Sequence, residues 1–309
     1  MPIPRSIVAL QDPETAQFQI LAGEDARVSA FDRSFHFGDS LYEVARSYRG
    51  ILFAFDDHVT RLKRSANLAH FEELPDLEQL TNMVRDACQE FFLRFGNVEV
   101  YVRTTISRGV GDVNIDRTGC GKPYAMVIVK DLRRDPSAPL QPQRWVVARR
   151  RRNLVTALDP AMKSGNYLNS VLALAEAQSY GADDALMLDH RGYATEGTTS
   201  NFFVVKRGEV WTAPLSVGIL AGVTRVQVLE TCLELSIPVR ERLLSRYDLQ
   251  DVDELFLSSS TREVQPICAL DGRPVADGEP GPITQRVAAG LRRRIDAWCD
   301  AHAGESLWL

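Results

Sequence analysis

Two hydrophobic periods interleave within the first 130 residues, and together they limit what this chain can fold into. In FAFDDHVTRLKRSANLAHF, acidic N-cap candidates precede Val59, Leu62, Ala66 and Ala69 at helical spacing, which predicts a helix over 57–70. DLEQLTNMVRDACQEFFLRFG repeats the pattern through Leu77, Leu80, Val84, Ala87 and Phe91, and Gly96 stands where a helix stop belongs. Residues 98–107, VEVYVRTTIS, switch to strict alternation. Val98, Val100, Val102, Thr104 and Ile106 share one strand face, leaving Glu99, Tyr101, Arg103 and Thr105 on the other. YAMVIVK, 124–130, is an unbroken apolar run bounded by proline and charge, as a buried strand requires. Strands and helices mixed this irregularly predict an α+β fold rather than a doubly wound sheet.

DLRRDPSAPLQPQ, 131–143, holds three prolines among charges and is the expected linker between a domain over 1–130 and a second over 144–309. The second half reads as a strand at RWVVAR, a DPAMKSG turn, and a helix from about Tyr167 to Ser179 with Leu168, Val171, Leu172 and Ala175 on one side. ALMLDHRGYATEGTTSNFFVVKRGEVWTAP follows as strands parted by HRG and KRG turns. GILAGVTRVQVLETCLELSI is a glycine-bearing loop entering a helix at Thr224, DELFLSSSTREVQPI a strand ending in hydroxyls, and 283–301 an amphipathic helix.

Composition removes several function classes. The 309 residues carry a net charge of −5 with both signs interspersed, so nucleic-acid and membrane partners are not expected. RRRR at 149–152 and RRR at 292–294 are the basic runs, and both read as solvated edges or helix faces. MPIPRSIVALQDPET lacks the apolar core of a signal peptide, no stretch has the length of a membrane span, and a cytoplasmic protein is expected. Five cysteines without a CxxC and five scattered histidines predict neither a disulfide framework nor a metal site.

Lys163 is an exception in a chain that writes its positive charge as 31 arginines and only five lysines. Arginine stays protonated, whereas a desolvated lysine can lose its proton and form a Schiff base; the plain alternative is a solvated surface charge. Three other features bear on it. GVTR, 222–225, offers helix-end N–H groups and the Thr224 hydroxyl, either as a phosphate site or as ordinary capping. SSST, 258–261, is a second hydroxyl cluster that could equally bond its own backbone. Glu196 in YATEGTTSNFFVV is either a turn carboxylate or the partner of a cofactor ring nitrogen.

KSGNYLNSVLALAEA, GYATEGTTSNFFVV, GILAGVTR and DELFLSSSTREVQPI, in this order and at these separations, resemble the class IV pyridoxal-phosphate aminotransferases, the group of branched-chain and D-amino-acid aminotransferases. FDRSFHFGDSLYEVAR and HVTRLKRSA resemble the same family, so the likeness runs from about residue 28 to 287. It implies a two-domain fold with pyridoxal 5′-phosphate in a cleft. Lys163 would bind the aldehyde and then move the α-proton, Glu196 would pair with the pyridinium nitrogen, and Tyr167 would stand near the ring hydroxyl. Arg61, Val223, Thr224 and Ser260 would hold the phosphate.

The resemblance also implies a homodimer and small amino-acid and keto-acid substrates. Tyr101 and Arg103, with the Tyr-x-Arg spacing of the branched-chain enzymes, would contact substrate carboxylates, with Arg46 and the Thr261 backbone as further anchors. The favoured reaction is amino exchange between an aliphatic, branched-chain L-amino acid and 2-oxoglutarate. Val44 stands where branched-chain enzymes often have glycine, and Thr104 follows Arg103 where they often have proline. A D-amino-acid or (R)-amine transaminase is therefore the alternative. RGVGDVNIDRTG lacks the Arg-x-His pair of typical D-amino-acid enzymes, and KSGNYLNS looks more like a transaminase than an aminodeoxychorismate lyase.

Overall fold

The computed structural model describes residues 5–132 and 140–308. They divide into two compact units, one drawn from Met1–Arg134, Met162–Asn166 and Trp298–Leu309, the other from Asp135–Ala161 and Tyr167–Ala297. Most of the proline-bearing segment expected as the linker, 133–139, lies outside the described residues.

The first unit is an antiparallel sheet of six strands: β1 (Ser6–Gln11), β2 (Phe18–Ala22), β3 (Ser40–Tyr48), β4 (Ile51–Leu52), β5 (Val100–Ser107) and β6 (Tyr124–Asp131), in the order β2-β1-β6-β5-β3-β4. A short α1 (Arg33–Phe37) precedes β3, and α2 (Phe55–Leu68) and α3 (Leu77–Phe95) follow β4. The alternation in β5 sends Val100, Val102 and Ile106 into a core with Ile7, Val127 and Val129, closed by Leu62 of α2 and Leu80, Met83, Val84 and Phe91 of α3. Val98 and Glu99 fall just outside the strand. The acidic residues expected to cap α2 lie inside its first turn, because the chain enters the helix through Ala54 in the left-handed region with no side-chain cap. There Asp56 and Asp57 face the positive end of the helix dipole.

Lys163 groups with this unit rather than with residues 144–309 as expected. The cause is backbone pairing with β3: Tyr42 N–H donates to the Lys163 carbonyl at 2.9 Å, Gly165 N–H to the Ser40 carbonyl at 2.7 Å, and Leu41 bridges Ser164.

The second unit is a mixed nine-stranded sheet of β7 (Gln143–Arg151), β8 (Asp184–Leu188), β9 (Ala194–Gly197), β10 (Asn201–Lys206), β11 (Glu209–Thr212), β12 (Val239–Glu241), β13 (Glu254–Ser259), β14 (Glu263–Leu270) and β15 (Arg273–Pro274). Its main order is β12-β11-β10-β13-β14-β7-β8-β9, with β15 paired to β14. Helix α4 (Leu168–Ser179) packs on β7 and β8, α5 (Val223–Glu234) on β13, and α6 is Pro282–Ala301. The core runs through Trp145, Leu186, Phe202, Val204, Leu255, Leu257 and Ile267. The apolar side of α4 foreseen in the sequence is not its buried side: Ser170, Ala173 and Ala177 are buried, while Leu168 and Val171 are 68% and 56% exposed. Small residues let the helix approach the sheet closely, which leaves the larger ones facing outward. Among the described residues no helix is long and apolar enough to cross a membrane.

Candidate active site

The predicted residues divide between the two units. In the first, strand alternation decides what β3 presents on each face. Tyr42, Val44 and Arg46 stand opposite Thr105, Arg103 and Tyr101 of β5, so these six share one face, and Glu43 points to the other, toward α2. Of the apolar positions spaced along α2, Leu62 and Ala66 are buried and Ala69 packs partly buried against the core, whereas Val59 is only half-buried and the polar His58, Arg61 and Ser65 are buried in its place.

Those three residues organise the ground around Lys163. Arg61 donates to Glu43 from Nε to Oε1 at 2.8 Å and from Nη2 to Oε2 at 2.6 Å, and His58 Nδ1 lies 2.7 Å from Oε2. A carboxylate only accepts, so Nδ1 carries the imidazole proton. Ser65 Oγ accepts from the Lys163 N–H at 3.2 Å. The Lys163 ammonium stands 4.1 Å from the centroid of the Tyr42 ring, and the Arg103 guanidinium carbon 3.6 Å from the same centroid. Arg46 is fully buried, 4.0 Å from the Tyr48 ring centroid, and Tyr101 has the Lys130 ammonium 4.7 Å from its ring.

In the second unit Glu196 is buried with both carboxylate oxygens engaged. Oε1 accepts from Arg152 Nε at 3.0 Å and has Nη2 of the same guanidinium at 2.9 Å as an ion pair, and Oε2 accepts from the Leu220 N–H at 3.0 Å. Helix α5 begins at Val223, with Gly222 as its cap residue and no side-chain cap. Thr224 is therefore not the capping residue, and the first-turn N–H groups have no intrahelical acceptor. Asn201 ties this helix end to the strand ending in SSST. It lies opposite Ser258 in the sheet, donates to the Leu220 carbonyl at 2.9 Å, and stands so close to Gly222 that a Cβ there would sit 2.1 Å from its Oδ1. Ser260 and Thr261 occupy the turn between β13 and β14, and Tyr167 is the residue at which α4 starts.

The class IV amino-transferase family matches residues 40–270, which include all of these groups. The chain is a class IV aminotransferase. A putative branched-chain-amino-acid aminotransferase of Methanocaldococcus jannaschii is 37% identical over 279 residues, covering 89% of this chain and 93% of its own. A D-alanine aminotransferase of Bacillus licheniformis is 30% identical over 277 residues, covering 90% and 95%. Among solved structures, the branched-chain aminotransferase of Thermoproteus uzoniensis with norvaline superposes with a TM-score of 0.81 at 29% identity, over 94% of each chain. The branched-chain amino acid aminotransferase of Thermobaculum terrenum in its PLP form gives 0.82 at 25% identity, over 94% of each.

A class IV aminotransferase takes pyridoxal 5′-phosphate, and the residues of this one fit it. The uncapped first turn of α5, the Thr224 and Ser260 hydroxyls, and a buried Ser258 hydroxyl that has no hydrogen-bond partner among the described residues make a donor set suited to a phosphate. The buried Glu196 carboxylate suits a protonated ring nitrogen. Sequence reading missed Tyr42, Glu43, His58, Arg152 and Asn201. Tyr42 could have been found by carrying the alternation of β5 across to β3, and Arg152 by treating the last arginine of RRRR separately from the other three.

Proposed function

We propose that this class IV aminotransferase exchanges an amino group between a branched-chain aliphatic L-amino acid and 2-oxoglutarate, using Lys163 as its reactive lysine. The observation that carries the reading is the Tyr42 ring, which has an amine at Lys163 and a carboxylate-binding fork at Arg103 close to its centroid. A residue that handles Cα and a residue that holds an α-carboxylate must be near neighbours in any transaminase. Bound pyridoxal phosphate supplies the aldehyde that takes up the amino group and a protonated ring that draws electrons from the Cα–H bond.

The chain's own residues do the rest. Lys163 removes and returns the proton at Cα. Glu196 accepts a hydrogen bond from the ring nitrogen, and Tyr167 orients the ring hydroxyl. Val223, Thr224 and Ser260 donate to the phosphate. Arg61 adds positive charge there, its guanidinium plane fixed by Glu43. Arg103, Tyr101 and Arg46 on one sheet face, with the Thr261 backbone, receive substrate carboxylates. The protein acts as a homodimer in the cytoplasm, and the exposed apolar side chains of α4 support the dimer.

The likeness to a D-alanine aminotransferase keeps one second reading, transfer from D-amino acids. Following the cofactor's visible band as single amino acids convert it to the pyridoxamine form separates the two. L-Leucine and L-valine should react fast. Reaction with D-alanine alone would overturn the substrate while leaving the transaminase intact. Lys163→Ala should bind cofactor and transaminate negligibly, and near-normal turnover would refute the role of Lys163.

A further inference from the structure

We propose that Arg152 is a positioning residue, whose guanidinium fixes the orientation of the Glu196 carboxylate and so keeps the cofactor ring nitrogen protonated. This deepens the function proposed above and rests on it. Arg152 ends the RRRR run, yet its side chain is only 11% exposed, unlike a solvated edge residue. Its three nitrogens are committed to two partners. Nε and Nη2 both reach Glu196 Oε1, and Nη1 lies 3.4 Å from Asn169 Oδ1 in the first turn of α4, two residues beyond Tyr167. Asn169 in turn donates to the Arg151 carbonyl at 2.9 Å.

The backbone is shaped to make this contact. Arg152 follows β7 and Glu196 belongs to β9, with β8 between them in the sheet. The β7–β8 register shifts between Val147 and Arg151, and the β8–β9 register shifts between Leu186 and Leu188. Both irregularities fall at the same level of β8, where Leu188 pairs with Arg151 on one side and Ala194 on the other. Such bulges re-aim side chains that a regular ladder would send to fixed faces. Here they let an arginine and a carboxylate from non-adjacent strands meet across β8.

The consequence for Glu196 is geometric. Its Oε2 is pinned by the Leu220 N–H and its Oε1 by Arg152, so the carboxylate plane cannot turn. Without Arg152, Oε1 is left buried and short of its charged donors, a state that drives the side chain to rotate toward other partners. The ring nitrogen then loses a well-placed acceptor for its proton.

The test uses the full-length enzyme loaded with pyridoxal phosphate labelled with 15N in the ring. Arg152→Met should move the ring-nitrogen resonance toward the unprotonated position. It should also lower kcat by roughly tenfold or more, the effect of losing a charge-assisted hydrogen bond, with KM for the amino acid little changed. Arg152→Lys, which keeps the charge but not the planar fork, should fall between Met and wild type in both readouts. A cofactor-bound variant of either kind with the wild-type resonance and wild-type kcat overturns the proposal. If Met does not fold, Lys alone decides by the same criterion. A wild-type protein that takes up no pyridoxal phosphate would instead remove the functional reading beneath it, and that is seen before any variant is made.

Discussion

Arg61 closes on Glu43 with two hydrogen bonds, Nε to Oε1 at 2.8 Å and Nη2 to Oε2 at 2.6 Å, inside a buried seam between β3 and α2. Burial alone would raise the Glu43 pKa, but the hydrogen bond and charge of Arg61, and then those of His58, bring it from 4.5 down to about 2. A folded value below the unfolded one means that Glu43 contributes stability above pH 4.5 and loses it as pH falls toward about 2. Glu43→Gln should cost about 3 kcal/mol at neutral pH, because Arg61 is left buried beside a neutral partner. The variant's melting temperature should also vary less between pH 4.5 and about pH 3 than that of the wild type. Parallel melting curves for the two proteins across that interval would contradict this account.

His58 gives an earlier acid response. Burial lowers its pKa below 6.5, the Glu43 carboxylate works against that, and the charges of Arg61 and Lys163 add to the lowering. As pH drops through 6.5, the unfolded chain takes up a proton that the folded imidazole does not, so stability is lost on the acid side of 6.5. His58→Gln retains a donor for Glu43 but does not titrate. Its melting temperature should change less than that of the wild type from about pH 7 to about pH 5.5, as calorimetry at matched ionic strength would reveal.

Tyr42 is predicted to matter through its face rather than its hydroxyl. Tyr42→Phe keeps the ring beneath Lys163 and Arg103 and should retain most activity, whereas Tyr42→Leu removes the ring attraction to both cations. With about 0.5–2 kcal/mol for each such contact, kcat/KM should fall roughly tenfold or more in the leucine variant. Equal losses in Phe and Leu would point to the hydroxyl instead.

Gly222 is constrained by space, since its φ of −68° suits any residue. A methyl group there must displace Asn201, which holds the Leu220 carbonyl and lies 3.5 Å from Glu196 Oε2. Gly222→Ala should therefore weaken pyridoxal-phosphate affinity by about tenfold, in line with about 1–3 kcal/mol for overpacking, as measured by titrating the apoenzyme. An unchanged affinity would show that the helix end tolerates the shift.

Much of the fold was legible because burial writes itself into periodicity: α3, β5 and β6 lie within a few residues of where their apolar patterns predict them. The polar interior was harder. His58, Arg61 and Ser65 are buried on α2 because Glu43 and the Lys163 backbone satisfy them, and those partners are distant in sequence. Arg152 was masked by its exposed neighbours for the same reason. Segment 108–122 carries no period at all. Backbone bonds such as Gly111 N–H to the Phe31 carbonyl and Gly121 N–H to the Val110 carbonyl hold it, together with the buried Arg33, whose Nη1 donates to the Asn114 and Asp116 carbonyls and Nη2 to that of Ile115.

The outer side of α4 carries the last prediction. Leu168, Val171 and Leu172 stand exposed on a helix whose inner side is built from Ser170, Ala173 and Ala177. An amphipathic helix in a lone chain would carry polar residues outward, so this stripe is expected to be covered by a second copy. Val171→Glu places a charge in the middle of the stripe, where burial against a partner costs far more than exposure in a monomer. Wild-type protein should sediment at twice the chain mass, and the variant should shift toward the single-chain mass. A fully dimeric Val171→Glu protein would place the subunit contact elsewhere, and a monomeric wild type would remove the dimer altogether.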